Sequence, residues 1–130
     1  MSTLAEILKE DTWKSLHPAT KLVVKVLQHI RDKLNDGAEI RAYFDNEEIL
    51  ITTYKSEIRI SENGIGFKRR TARTLRVQRA KVKLTREILD TIKNEILVVL
   101  ESDVEPNYAF IVEVLEKHFA GEEACAERCP

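Results

Sequence analysis

Residues 38–70 read AEIRAYFDNEEILITTYKSEIRISENGIGFKRR, and this stretch decides the fold class. Ile40, Ala42 and Phe44 fall on one parity and Glu39, Arg41 and Tyr43 on the other, the period-two alternation of a half-buried strand. Asp45-Asn46-Glu47-Glu48 turns the chain into Ile49-Leu50-Ile51-Thr52-Thr53-Tyr54, a run rich in β-branched residues. Lys55-Ser56 interrupts, and Ile58 and Ile60 then alternate with Glu57 and Arg59. Ser61-Glu62-Asn63-Gly64 is a hairpin signal, because Asn-Gly readily supplies the positive φ angles such turns need. Ile65 and Phe67 continue the next strand. The pattern predicts an antiparallel meander with one apolar and one polar face.

Downstream, Leu75 and Val77 alternate on one parity, and Ala80, Val82 and Leu84 on the other. An extra residue near Gln78-Arg79, a β-bulge, would reconcile the two phases. A helix competes for this segment, but Thr74, Val77 and Val82 weaken it. Helices flank the meander. Thr3-Leu4-Ala5-Glu6 is a capping box opening a helix with Leu4, Ile7, Leu8 and Leu16 at helical spacing and Trp13 as anchor. His17-Pro18 breaks it, since proline disfavours helical geometry in the preceding residue. A second helix runs from Pro18 with Leu22, Val23, Val26, Leu27, Ile30 and Leu34 on its stripe, and Asn35-Asp36-Gly37 stops it. Thr85 caps a third helix with Ile88, Leu89, Ile92, Ile96, Val99 and Leu100 inward. Ser102–Pro106 starts a fourth, with Tyr108, Ile111, Val112, Leu115 and Phe119 inward and Gly121 at its end. The expectation is an α+β domain over residues 1–120: an antiparallel four- or five-stranded meander between two N-terminal and two C-terminal helices. Residues 121–130 are read as a mobile tail.

A chain of 130 residues with 43% hydrophobic residues can bury a core without metal or disulfide. Its abundant aliphatic residues argue against disorder. The longest apolar run, Ile96–Leu100, is five residues, against the roughly 20 a membrane helix needs. The first residues, MSTLAEILKEDTW, lack the basic-then-apolar order of a signal peptide. A soluble, cytoplasmic protein is expected. Few Gln, Met and Gly residues beside abundant Lys, Arg and Glu resemble the composition of thermophilic proteins.

Charge is segregated although the net charge is −1. Residues 63–86 carry nine basic side chains and no acidic one: Lys68, Arg69, Arg70, Arg73, Arg76, Arg79, Lys81, Lys83 and Arg86. Residues 87–130 carry eleven acidic and three basic ones. Blocks of one sign repel themselves and are best tolerated where an opposite charge docks. Strand parity aims Arg41, Tyr43, Arg59, Lys68 and Arg70 away from the helices. Tyr54 joins that face if Ile49 and Ile51 point inward, as do Arg79, Lys81 and Lys83 beyond the bulge. Cations that track phosphates beside rings that stack on bases suit single-stranded nucleic acid. Such binding tolerates sequence and responds to salt. The block could instead dock an acidic protein partner, pair with the 87–130 segment, or simply be a solvated face whose lysines guard a sheet edge.

The helix–sheet–helix order from Leu4 to Phe119 and the basic, aromatic sheet face resemble the ThermoDBP-like single-stranded DNA-binding proteins of thermophilic archaea. The resemblance implies a small antiparallel sheet paired with helices, a cleft that holds single strands, and oligomerisation. No residue role is carried over from that family.

Other constellations point elsewhere. Gly64-Ile65-Gly66 lacks the third glycine of a dinucleotide loop and follows a hairpin turn, so it reads as a hairpin pair. Asp45-Asn46-Glu47 begins like a calcium loop but places Ile49 and Ser56 where liganding oxygens belong, which favours a polar turn. His17 reads as a helix cap, and His29 and His118 as boundary histidines. No catalytic residue, metal site or cofactor is predicted, and no enzymatic activity. Cys125 and Cys129 read as incidental thiols of the tail, with a soft-metal pair aided by His118 or an oxidised pair as alternatives. Leu97, Val98, Phe110 and Val114 exceed what one inward stripe uses on the last two helices. A homodimer or higher oligomer through these helices is the expectation, unless the first helices cover them.

Overall fold

The computed structural model describes residues 4–102 and 104–128, with only the backbone for 4 and 122–128. The elements follow as α1 (Leu4–Ile7), α2 (Glu10–Ser15), α3 (Pro18–Asn35), β1 (Arg41–Phe44), β2 (Glu48–Thr53), β3 (Ser56–Ser61), β4 (Gly64–Arg70), β5 (Leu75–Ala80), α4 (Arg86–Ser102) and α5 (Tyr108–Arg128). This is the expected α+β class. The sheet has five strands in sequence order, each antiparallel to the next, with β1 and β5 as its edges.

One face of the sheet forms the core. Ile49, Ile51, Ile58, Ile60, Ile65 and Phe67 are buried there with the apolar stripes of α3, α4 and α5. His29 of α3 packs its ring edgewise on Phe67 with centroids 4.9 Å apart, while Lys93 of α4 lies 5.7 Å from the Phe44 ring. Those contacts put α3 over β4 and α4 by β1; α5 packs on both helices. No helix among the described residues is long and apolar enough to cross a membrane.

The helix ends have identifiable causes. His17 accepts the Ala19 amide through Nδ1 at 3.0 Å, with Pro18 at the first helical position of α3. The His17 amide donates to the Glu116 carboxylate, Thr20 Oγ1 donates to Glu116 Oε2 at 2.9 Å, and the His17 ring stacks on Phe119. The start of α3 is thereby tied to α5. Thr85 Oγ1 accepts the Ile88 amide and caps α4 as expected.

Four expectations need correction. The N-terminal helix is two short pieces, because Lys9 takes extended backbone (φ −57°, ψ 139°); Leu8, in the break, is exposed, and Thr3 of the capping box lies outside the described residues. The last helix starts at Tyr108 rather than near Pro106, since Asn107 Oδ1 accepts the Phe110 amide and is the cap. It also continues through Gly121 to Arg128, as a single exposed glycine costs a helix only about 1 kcal/mol. Finally, β5 carries no bulge. Its register against β4 is unbroken from Arg70↔Leu75 to Ile65↔Ala80. The even parity, from Gln78 through Ala80 and Val82 to Leu84, is the more buried one throughout, and Leu75 and Val77 point outward to solvent.

Candidate nucleic-acid interface

Register fixes what the uncovered face of the sheet displays. One row of cross-strand neighbours runs Tyr43–Leu50–Arg59–Gly66–Arg79, from edge to edge. The adjacent row runs Arg41–Thr52–Glu57–Lys68–Val77. With strands about 4.8 Å apart, each row spans roughly 19 Å. Arg41, Tyr43, Arg59, Lys68, Arg70 and Arg79 thus share the outer face, as parity predicts. Lys81 and Lys83 continue the Arg79 parity in the extended segment after β5, with Lys83 Nζ donating to Asn63 Oδ1 at 2.7 Å.

Arg69, Arg73 and Arg76 stand elsewhere. Arg69 and Arg76 are cross-strand partners on the helix-side parity, and Arg69 lines a recess with Lys25, Gln28, His29 and Asp32 of α3. The Arg69 guanidinium lies 5.1 Å from the Phe67 ring centroid, a cation–π arrangement. Arg73 occupies the turn joining β4 to β5, which is closed by Thr71 and Thr74: the Thr71 amide donates to the Thr74 carbonyl at 2.8 Å, and their hydroxyls lie 2.7 Å apart. Every residue from Lys68 to Val77 is exposed, so this hairpin end projects past the core with cations on both faces.

The tyrosines are less clustered than parity suggests. Ile49 and Ile51 do point inward, yet β2 ends at Thr53, and Tyr54 sits in the β2–β3 turn, 94% exposed. Lys55 Nζ lies 5.8 Å from its ring centroid, and Lys33 and Arg41 line the same recess. Tyr43 stays on the outer face, on edge strand β1, at the opposite end of its row from Arg79.

Carboxylates divide the basic residues into two groups. Arg41 pairs with Glu39 at 3.3 Å, Arg59 with Glu48 at 2.5 Å and Glu57 at 3.7 Å, and Lys68 with Glu57 at 3.9 Å. Among the described residues, Arg69, Arg70, Arg73, Arg76, Arg79, Lys81 and Lys83 form no ion pair with a carboxylate. Among the described residues, the sheet's cations without a carboxylate partner are therefore concentrated on β4, β5 and the segment after them. Parity cannot reveal the neutralising pairs, because they depend on which strands neighbour which.

Two features escaped the sequence reading. The first is a shallow trough of about 290 Å³ on the outer face, floored by Gly64 and Gly66 and bounded by Arg59, Lys68, Arg79 and Lys81, with Glu57 and Asn63 beside them. Glycine inside a strand is the signal that could have found it. The second is His29, whose Nε2 lies 2.9 Å from Ser56 Oγ, with Thr53 Oγ1 bonded to the same hydroxyl. Burial, then Lys33 and Arg69 nearby, lowers this histidine to about 4. The ring is therefore neutral at pH 7 and a weaker proton acceptor than an ordinary histidine. The contact positions α3 on the sheet.

The other histidines are structural too: His17 caps α3, and His118 Nε2 donates to the Lys83 carbonyl at 2.7 Å. Asp45 Oδ1 accepts the Glu47 and Glu48 amides at 2.7 and 2.6 Å, the polar turn expected in place of a calcium loop. No group of three His, Cys, Asp or Glu suited to a metal occurs among the described residues. Cys129, and the side chain of Cys125, lie outside the described residues. Of the surplus apolar positions, Val98 and Phe110 are exposed and Leu97 is half-buried, whereas Val114 packs against the core. Compared with known proteins, the chain matches no family model, no curated protein and no solved structure.

Proposed function

We propose that this chain is a non-catalytic nucleic-acid-binding protein that prefers single strands and contacts them through the β4–β5 hairpin and the adjoining outer sheet face. The observation that carries the reading is the set of cations from Arg69 to Lys83 with no carboxylate partner among the described residues. Like charges crowded on one projecting hairpin repel one another, and a polyanion removes that repulsion while releasing its counterions. The hairpin's cations from Arg69 to Arg79 are exposed, and among the described residues none of them is within ion-pair distance of a carboxylate. Tyr43, 54% exposed on the same face, is the ring that can stack on a base; Tyr54 is a second one at the sheet end. The reading agrees with the resemblance to ThermoDBP-like proteins, with a cytoplasmic location, and with a homo-oligomer joined through Val98 and Phe110 that sets several basic surfaces on one strand.

An acidic protein partner is the second reading. It is favoured by Leu75 and Val77, which are 54% and 44% exposed on edge strand β5 among the cations and would suit a partly apolar surface. Competition separates the two. A labelled single-stranded oligonucleotide bound by the protein is displaced by heparin or polynucleotide, and Tyr43→Ala weakens it by about 1–3 kcal/mol if the ring stacks on a base. Unchanged affinity in both Tyr43→Ala and Tyr54→Ala would defeat stacking. Absence of oligonucleotide binding at low salt would leave the protein-docking reading.

A further inference from the structure

The two glycines of β4 that face outward are glycines for different reasons. Gly64 has φ +150°, and a Cβ there would lie 2.5 Å from the Ala80 carbonyl oxygen, so the backbone itself requires it. Gly66 is under no such demand. Its φ is not positive, and the nearest atom to an added Cβ would be the Arg59 carbonyl oxygen at 3.9 Å, an ordinary contact. An interior strand position with room and normal backbone geometry is better filled by a β-branched or aromatic residue, and glycine weakens it. The fold gains nothing from glycine at 66; what glycine does is hold the floor of the trough open.

The walls of that trough say what would enter it. Arg59 and Arg79 are the cross-strand partners of Gly66 on its two sides, so their backbones stand roughly 9.6 Å apart with no side chain between them. Lys68 is the next outward residue along β4, and Lys81 the next outward residue after Arg79. Glu57 lies between Arg59 and Lys68, and Glu48 holds the Arg59 guanidinium from its far side. Four cations thus meet one carboxylate lining the trough, and Arg79 and Lys81 have none to themselves. We infer that the trough seats a backbone phosphate of the bound single strand, over Gly66 and against the Arg79 guanidinium and the Lys81 ammonium. A planar guanidinium fork matches phosphate oxygens two at a time, and a glycine floor lets the phosphate descend beside it. The inference rests on the reading under Proposed function and names the point where the strand crosses the sheet.

Gly66→Val tests it, because the substitution fills the trough without changing any charge. Fluorescence anisotropy with labelled oligothymidylate and a thermal melt are read together. The expected result is a melting temperature equal to or above that of the unsubstituted protein, with affinity reduced roughly tenfold or more, as befits a lost charge-assisted contact. Arg79→Gln loses as much, whereas Arg73→Gln, one charge removed at the hairpin turn, loses only a few-fold. If the unsubstituted protein binds and a folded Gly66→Val binds equally well, the trough is refuted and the broader reading stands. Should Gly66→Val not fold, equal losses in Arg79→Gln and Arg73→Gln refute it instead. If the unsubstituted protein does not bind oligothymidylate at all, both fall.

Discussion

Burial between α3 and β4, reinforced by Lys33 and Arg69, lowers His29 to about 4 from its usual value near 6.5. The unfolded chain then binds more protons than the folded one between those two values, so stability falls as pH drops through that window. Solvent screening at a half-buried ring trims the effect to on the order of 1 kcal/mol. His29→Gln should flatten the pH dependence of the melting temperature between pH 7 and 5 relative to the parent; an identical slope in both would contradict the assignment. Gly64→Ala should destabilise by about 1–3 kcal/mol in a denaturant melt, since its backbone is in a region that L residues avoid and its Cβ meets the Ala80 carbonyl. At this scale the sequence was legible where a residue acts on its own neighbours. His17 before Pro18, Thr85 before an apolar stripe and Asp45 in its turn could all be read locally. Tyr54 and the Arg59–Glu48 pair could not, because strand ends and strand neighbours decide them.

The β4–β5 hairpin is the element on which the function proposal turns. Its far end, from Arg70 to Val77, is exposed throughout, so the alternation of apolar residues loses its meaning there. The alternation of Leu75 and Val77 out of phase with Ala80, Val82 and Leu84 suggests a bulge, whereas the strand simply leaves the core and keeps one phase. The three strands β2, β3 and β4 were legible where they face the helices, since Ile49, Ile51, Ile58, Ile60, Ile65 and Phe67 each have a buried side to fill. An exposed hairpin end whose arginines have no carboxylate partner among the described residues contributes little packing, so changing Arg69, Arg70, Arg73 and Arg76 to Gln should leave the melting temperature within a few degrees of the parent. A large drop would mean that these cations support the fold instead.

Across the whole molecule, a net charge of −1 hides a basic hairpin set against an acidic C-terminal third, and only position in the fold shows which charges are neutralised. Val98 and Phe110 lie exposed on α4 and α5. If they join two copies, sedimentation velocity gives a dimer or larger, and Phe110→Glu shifts it to monomer; a monomer at high concentration in the parent would remove the oligomer from the account. The central claim is the polyanion surface, and the salt dependence of single-strand binding tests it most directly. Anisotropy titrations with single-stranded and duplex oligonucleotides across a range of salt should give tighter single-strand binding and a log K that falls by roughly 0.7 per decade of salt for each phosphate contacted. The quadruple Arg-to-Gln hairpin variant, still folded, should lose up to about 3 units of that slope. A folded variant with the parent's affinity and slope, or a parent that binds neither oligonucleotide at low salt, would contradict it.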